Sequence, residues 1–433
     1  SRQTVNAFVR PIARPVKGCR ISRPLLHFPP MASPMMQQFE AAKARCPGAL
    51  VLFRMGDFYE LFGDDAREAA TLLDLTLTSR DKGPDALPMA GFPHTQLDNQ
   101  LVRLVAAGRR VAICEQIDDP KTTKGLLRRE VTRIVTPGIA ADETLLDPTR
   151  PNWLLALLPR PRARPGARPD ADDDAAPTPT ADGSIPVGLA WVDVAAGAFH
   201  ATVLPAEDVA DLVLRLEPGE CLCAEKDRGA VAGLLGAGRV PPLTSRPDWW
   251  FEETAARHAV DRVVRGARLE GLGFDLPDDL PGIAAAGAVV QYLDENEPTA
   301  IERVVSIAAW RRGARMEIDE ATRRSLELLR VPGGTGSRRA GSLAGVLDRT
   351  RSAMGARLLG EWISAPLVDA AAIERRLGAT AALVADPALA DRLGSLLAGV
   401  GDIERLVGRV MSGRAGPRDL ERIGRAEIGR AHV

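Results

Sequence analysis

The spacing of hydrophobic residues predicts a first unit that mixes helices and strands. Small and aliphatic side chains recur every three or four residues over residues 64–73 and 97–105, which is typical of amphipathic helices. Residues 34–44 are a further candidate helix. Short runs of aliphatic and β-branched residues predict strands at residues 50–53, 111–114 and 131–135. We therefore expect an α/β domain over residues 31–147.

A stretch that is poor in hydrophobic residues interrupts the second unit. Residues 159–186 contain seven prolines and an aspartate-rich patch, and Ile185 is their only large aliphatic side chain. Such a segment cannot bury enough apolar area to offset its ordering entropy, so we expect a flexible surface loop. Strand-like runs at residues 153–158 and 187–194 flank the loop, which therefore interrupts a hairpin. We expect a second α/β domain over residues 151–280.

The last third of the chain has helical spacing. Three amphipathic stripes cover residues 354–363, 373–384 and 389–410. Asp369 precedes the second stripe and Asp386 the third, each in the position of a helix N-cap, and Gly399 and Gly401 are expected to kink the third. Core packing is the expected role of all three stripes. We expect an all-α domain over residues 281–427.

Charge and composition exclude a polybasic tether and a membrane-spanning protein. The 56 Lys and Arg residues balance 57 Asp and Glu residues, and the net charge is −1. Residues 31–150 hold 15 basic and 17 acidic side chains, so this part carries no broad basic surface for nucleic acid. No apolar run approaches the ~18 residues that span a bilayer. The five cysteines lack zinc-ligand spacing, and we expect a reducing, cytoplasmic location.

Both ends of the chain are expected to lie outside the fold. Residues 1–30 contain six basic residues and no acid, which is compatible with a transit peptide or with translated sequence upstream of a start at Met31. We favour the second interpretation and expect a non-native or disordered leader. Residues 428–433 are interpreted as a translated sequencing-adapter scar, which implies that the chain is truncated.

The segment Gly56-Asp57-Phe58-Tyr59-Glu60-Leu61-Phe62 is the most informative for function. Phe58 and Glu60 are two residues apart, so in an extended segment they project to the same side. A carboxylate repels phosphates, but the pair becomes useful if the ring wedges into a base step while the acid hydrogen-bonds a base edge. Periodicity alone favours the alternative that Phe58, Tyr59 and Phe62 are core residues.

This segment closely resembles the mismatch-recognition motif of the MutS DNA mismatch repair family. Further family-like stretches follow in the same order, so the resemblance extends from about residue 34 to 426. The segments that carry it are residues 54–62 with 64–66, then 88–94, 111–116, 133–138, 321–327, 354–359 and 418–420.

The resemblance implies roles for individual residues. Phe58 resembles the aromatic that stacks on a mispaired base from the minor groove, and Glu60 resembles the acid that hydrogen-bonds that base. A mismatch stacks poorly, so wedging and kinking cost less there than at a paired step. The candidates for contact with the DNA backbone are Arg80, Met89, Gly91 and His94. Turn geometry and ordinary surface charge are the alternative interpretation for these four.

The resemblance also implies a domain order and partners. It implies a mismatch-recognition domain, an RNase H-like connector that contacts a MutL-type partner, and the start of a helical core or lever. It further implies a homodimer and a C-terminal ATPase that uses ATP and Mg²⁺ in the intact protein. The phosphate-binding motif G-x-x-x-x-G-K-[ST] does not occur in this sequence. We therefore expect a chain that binds mismatched or looped duplex DNA without enzymatic activity, cofactor or metal of its own.

An enzyme is the alternative hypothesis. Asp57, Glu60, Asp64 and Asp65 could hold Mg²⁺ for phosphodiester hydrolysis. Asp64 and Asp65, however, fall where a helix begins, and negative charge there favours the helix dipole. With the family resemblance included, the binding hypothesis is the stronger one.

Overall fold

The computed structural model describes residues 33–431 apart from several gaps. The gaps are residues 80–85, 119–124, 141–145, 160–184, 237–239, 305, 314, 332–339 and 412–414. The leader at residues 1–30, Arg80 and most of the 159–186 insert therefore lie outside the described residues. In the described part, no helix is long and apolar enough to cross a membrane.

The first unit is a six-stranded sheet with helices on both faces. Its elements are α1 (Pro34–Arg45), β1 (Leu50–Met55), β2 (Phe58–Phe62), α2 (Gly63–Leu73), β3 (Thr78–Ser79), β4 (Pro88–Pro93), α3 (Leu97–Ala106), β5 (Val111–Gln116) and β6 (Arg129–Val135). The strand order is β3-β4-β2-β1-β5-β6. Strands β1 and β5 run parallel, and the other neighbouring pairs run antiparallel. The elements predicted for this unit are confirmed to within two residues.

Alternate residues of β1 contribute to two hydrophobic cores, one on each face of the sheet. Leu50 and Leu52 pack with α2 and α3 on one face of the sheet, and Val51 and Phe53 pack with α1 on the other. The rings of Phe39, Phe53 and Phe62 make edge contacts with centroids 5.0–6.4 Å apart. Because the sheet is buried on both faces, its central strand is apolar along most of its length.

The second unit is another six-stranded mixed sheet. Its elements are β7 (Trp153–Pro159), β8 (Pro186–Asp193), β9 (Ala198–Pro205), α4 (Ala206–Leu216), β10 (Glu220–Ala224), α5 (Arg228–Leu235), β11 (Leu243–Arg246), α6 (Glu253–Val264), α7 (Leu280–Asn296), α8 (Pro298–Ile301) and β12 (Ala308–Ala309). The strand order is β11-β10-β7-β8-β9-β12. Strands β7 and β8 pair antiparallel on either side of the insert, which confirms the interrupted hairpin.

The second unit extends beyond the predicted boundary at residue 280. Helix α7 lies across β7, β8 and β9, and its side chains share a core with that sheet. A Cβ on Gly188 would lie 2.1 Å from the carbonyl oxygen of Pro281, so the glycine allows the helix this close approach. The helical character expected from residue 281 onward is confirmed for α7. The sequence did not reveal its partner, because residues 282–290 are all small or aliphatic and therefore show no polar face that would orient the helix.

Helices dominate the remainder of the described chain. They are α9 (Glu320–Ser325), α10 (Leu343–Leu347), α11 (Ala353–Ser364), α12 (Ala370–Ala385), α13 (Pro387–Gly399), α14 (Ile403–Met411) and α15 (Pro417–Ala431). The caps predicted at Asp369 and Asp386 are present, since each carboxylate accepts from the backbone N–H three residues later. The stripe predicted over residues 389–410 is broken into α13 and α14 at Val400.

Core packing was the wrong interpretation for α12 and α13. Among the described residues neither helix has a buried side chain, and Val384 is 74% exposed. Helices α12 and α13 pack on each other, and α13 also packs on α15. Amphipathic spacing indicates which face of a helix is apolar, but it does not show whether another element packs against that face.

Candidate nucleic-acid interface

A tight hairpin presents the motif predicted to carry function. Met55 pairs with Phe58 across the antiparallel strands β1 and β2, which leaves Gly56 and Asp57 as a two-residue loop. Gly56 has a φ of +59°, in the left-handed region that glycine adopts without steric cost. Glycine at the first loop position is typical of the type II′ turns that join twisted strands. The local sequence thus favours a sharp turn immediately before Phe58.

Alternation along β2 separates Phe58 from its aromatic neighbours. Phe58 is 47% exposed, whereas Tyr59 is 1% exposed and packs in the core beneath α2 and α3. Phe62 packs in the opposite core, beside α1. The core interpretation is therefore confirmed for Tyr59 and Phe62 and is wrong for Phe58. Phe58 and Glu60 share one face of the strand, with Glu60 half-buried.

Three other elements hold the loop in place. The backbone N–H of His94 donates to the Asp57 carbonyl oxygen at 2.8 Å, and His94 Nδ1 lies 3.0 Å from the same oxygen. Arg129 Nε on β6 donates to the Arg54 carbonyl oxygen at 2.7 Å. The amide of Gln116 on β5, oriented to satisfy its neighbours, accepts from the Gly56 N–H at 3.2 Å. The ring of Phe58 therefore projects from a well-supported loop.

The buried ring of Tyr59 anchors the strand from below. Its hydroxyl donates to the Glu115 carboxylate, and the Arg54 guanidinium lies 5.4 Å from the ring centroid. Burial, together with the bond to Glu115, raises the pKa of Tyr59 well above its ordinary value. The hydroxyl therefore stays protonated and keeps donating across the physiological pH range.

Family models match most of the chain in three consecutive segments. MutS domain I matches residues 33–144, MutS domain II matches residues 175–303, and MutS domain III matches residues 321–430. The chain belongs to the MutS family. Domain I of this MutS-family chain contains the hairpin of β1 and β2.

Curated relatives agree with this membership. A protein named DNA mismatch repair protein MutS from Rhodopirellula baltica is 44% identical over 393 residues, which cover 90% of this chain and 43% of the relative. A protein of the same name from Chlorobaculum tepidum is 34% identical over 400 residues, or 90% of this chain and 42% of the relative. The chain therefore spans about two fifths of the length of these MutS relatives.

The residues predicted to contact the DNA backbone lie in different settings. Gly91 and His94 lie beside the hairpin, where Gly91 pairs with Glu60 and His94 supports the loop. Met89 pairs with Phe62 and packs against the core beside α1. Arg80 lies outside the described residues. Of the three candidates that the structure describes, Gly91 and His94 therefore lie beside Phe58 and Glu60.

The four carboxylates of the enzyme hypothesis do not form a cluster. Asp65 is buried and accepts from Lys43 Nζ at 2.6 Å and from the Val51 N–H at 3.0 Å. Asp64 projects into solvent from the first turn of α2. Within the described ranges, no group of three or more acidic, histidine or cysteine side chains is arranged to hold a metal ion. The geometry favours the helix-terminus interpretation of Asp64 and Asp65.

Sequence reasoning missed Gln116, Arg129 and Glu115 as supports of the motif. They lie more than 50 residues from the hairpin along the chain, and they reach it because β5 pairs with β1 and β6 pairs with β5. The signal that could have found Glu115 and Gln116 is the family-like run Cys114-Glu115-Gln116, which ends a buried strand in polar residues.

Substitution of Gly91 by alanine is expected to lower the free energy of unfolding by about 1–3 kcal/mol. The added Cβ would lie 2.8 Å from the Tyr59 carbonyl oxygen and 3.4 Å from Glu60 Cγ, so β4 must move away from β2. Urea unfolding measures the change. Gly229→Ala on α5 is the control, because no atom lies within 4 Å of its added Cβ, and we expect it to be neutral or stabilising. Equal stability of the two variants would contradict the prediction.

Proposed function

We propose that this chain recognises mispaired or unpaired bases in duplex DNA, with Phe58 as a minor-groove wedge and Glu60 as a hydrogen-bond acceptor for the displaced base. The observation that supports this proposal best is the exposure of Phe58 beside buried neighbours on a hairpin braced by three other elements. A side chain that separates stacked bases must keep its position, and a loop held by three other elements resists displacement of the Phe58 ring.

The charge of the domain fits a protein that distinguishes mismatched from paired duplex by how easily the DNA kinks. Residues 31–150 have slightly more acidic than basic side chains, so general attraction to phosphates contributes little there. A wedge inserted into a step pays a lower unstacking cost where the pair is already weak. Glu60 adds selectivity, because a carboxylate that finds no base donor is repelled by the backbone.

Direct titration tests the proposal. Labelled duplexes that differ only in one central pair, G·T or A·T, are titrated with the chain at fixed salt without nucleotide or metal. We expect tighter binding to the G·T duplex. Equal dissociation constants for the two duplexes would reject mismatch recognition by this chain. Cleavage of either duplex after addition of Mg²⁺ would instead favour the phosphodiesterase alternative.

Replacement of Glu60 by alanine is expected to weaken discrimination while homoduplex binding is retained or rises. The variant loses the acceptor for the base and also a negative charge near the phosphates. The ratio of the dissociation constants for the G·T and A·T duplexes measures discrimination. The dissociation constant for the A·T duplex alone measures the effect of the lost negative charge. Glu130→Ala on β6, which removes an exposed acid of the same domain, is the control. Reduced homoduplex binding by Glu60→Ala would be evidence against the proposed role.

The remaining implied features are proposals for the whole protein. The second unit acts as an RNase H-like connector that contacts a MutL-type partner, and its antiparallel β7–β9 strands beside parallel β10 and β11 support that fold assignment. The helices from α9 onward form the start of a core or lever. The intact protein is a cytoplasmic homodimer and an ATPase that uses ATP and Mg²⁺. The phosphate-binding motif is not in this sequence, so no step through the nucleotide is assigned to its residues.

A further inference from the structure

A cavity of about 680 Å³ lies where the three units meet. The first unit contributes the end of α3, and the linker to the second unit contributes Arg150 and Asn152. The second unit contributes the end of α4, and the helical region contributes Glu320, Arg323 and Arg324 together with residues 328–331. The volume falls within the range of small-molecule sites in proteins, about 300–1,000 Å³.

Positive charge dominates the lining of this cavity. Among the described residues, five arginines and two glutamates contribute to it, and they are Arg150, Arg215, Arg323, Arg324, Arg330, Glu217 and Glu320. Arg150 and Arg330 both pair with Glu217 at the end of α4. Arg324 makes a 3.4 Å contact with Glu320. The two acids are therefore already engaged, and Asp211, which is not part of the cavity lining, is the carboxylate that Arg215 and Arg323 share.

Arg323 is a buried cation in the lining of this cavity. It is 7% exposed, and its Nε and one terminal nitrogen are buried without a hydrogen-bond acceptor. Its closest carboxylate oxygens belong to Glu320 at 3.6 Å and Asp211 at 3.9 Å, both beyond hydrogen-bond length. A buried guanidinium in this state is costly, and a bidentate oxyanion is the partner that its planar fork fits best.

Arg215 is close to the same position. Its guanidinium lies 5.2 Å from the ring centroid of Trp310, so the ring faces one side of the cation. Burial lowers the pKa of both Arg215 and Arg323, and for Arg215 the nearby charge of Arg323 lowers it further. An anion between the two guanidinium groups would relieve both effects.

We propose that this cavity binds the phosphate groups of a small molecule, with Arg215, Arg323 and Arg324 as the ligating residues. Such a ligand would join the second unit to the helical region and favour their observed arrangement. The guanidinium group of an arginine binds a phosphate group through two parallel N–H···O hydrogen bonds, and Arg215, Arg323 and Arg324 place three guanidinium groups in the lining of this cavity. The proposal does not depend on mismatch recognition, because the cavity and the hairpin of β1 and β2 share no residues.

Thermal unfolding of the full chain tests the site, with inorganic phosphate, pyrophosphate and metal-free ATP as separate probes. Sodium chloride at matched ionic strength is the control for screening. We expect pyrophosphate to raise the midpoint temperature and chloride not to. Titration calorimetry then gives dissociation constants, and we expect Arg323→Gln to weaken pyrophosphate binding at least tenfold. Arg262→Gln, which removes an arginine paired with Asp294 on α7, is expected to bind as the parent does.

A second variant keeps the test decisive if Arg323→Gln fails to fold. The side chain of Arg324 is 65% exposed, so Arg324→Gln is expected to fold and to weaken pyrophosphate binding severalfold. Tighter binding of ATP than of pyrophosphate would identify a nucleotide, and equal binding would identify a free phosphate compound. The proposal is overturned if no probe binds, or if Arg323→Gln and Arg324→Gln bind pyrophosphate as tightly as Arg262→Gln does.

Discussion

Phe58→Ala is expected to abolish the preference of the chain for mismatched over fully paired duplex. The exposed ring contributes little to the domain core, so its removal leaves the hairpin and its supports intact. Stacking of an aromatic side chain on a base contributes about 1–3 kcal/mol, which corresponds to a change of about 5- to 150-fold in affinity. The ratio of dissociation constants for G·T and A·T duplexes measures the loss directly.

A matched variant separates this effect from the general loss of an exposed ring. Trp249 is 53% exposed and lies on the second unit, so Trp249→Ala removes an aromatic surface of comparable exposure far along the chain from the motif. We expect its mismatch preference to equal that of the parent. Thermal unfolding of both variants establishes that each is folded. Identical G·T binding curves for Phe58→Ala and the parent would exclude the wedge.

The sequence predicted the face shared by Phe58 and Glu60 because a strand repeats every two residues. It did not predict which residues of that face are exposed, since this depends on where α1 lies along the sheet. Helix α1 covers Phe62 and leaves Phe58 uncovered, although both are on the same side of β2. Whether a residue at one end of a strand is buried thus depends on tertiary packing, and it cannot be predicted from the local periodicity of the sequence.

Long-range contacts account for most of what the sequence could not predict. His94 lies 37 residues after Asp57, and Arg405 lies 258 residues after Asp147. A lone histidine or arginine has the same local pattern whether it contacts DNA, supports a loop or lies buried. The family resemblance singled out the motif, but the supports of the motif became visible only when the strand order was known.

A buried ionic network joins the linker between the first two units to the helical region. Arg405 is 2% exposed, and its guanidinium donates to the carbonyl oxygens of Asp147 and Arg150 at 2.9 and 2.8 Å. Arg357 donates to the carbonyl oxygen of Pro148 at 2.9 Å and to the carboxylate of Asp402 at 2.7 and 2.9 Å. Two arginines from α11 and α14 therefore hold the linker at residues 147–150.

Arg357→Met is expected to lower the free energy of unfolding by about 3–5 kcal/mol, because it leaves the buried carboxylate of Asp402 without its main partner. Methionine retains most of the aliphatic length of the arginine side chain, so the loss of stability reflects the missing charge and hydrogen bonds more than a change in side-chain volume. Urea unfolding at neutral pH measures it. Arg425→Met is the control, since Arg425 forms an exposed pair with Glu421 that contributes at most about 1 kcal/mol.

The pH dependence of this loss distinguishes a buried ion pair from simple packing. Burial alone would raise the pKa of Asp402, but the hydrogen bonds from Arg357 hold it below its ordinary value. A depressed carboxyl pKa stabilises the fold above the unfolded-state value of about 3.9, and this contribution disappears as pH falls through the folded-state pKa. The stability difference between parent and Arg357→Met should therefore shrink below about pH 4. A difference that stays constant from pH 7 to pH 3 would show that Arg357 acts through packing, and the ionic account of the linker would then be wrong.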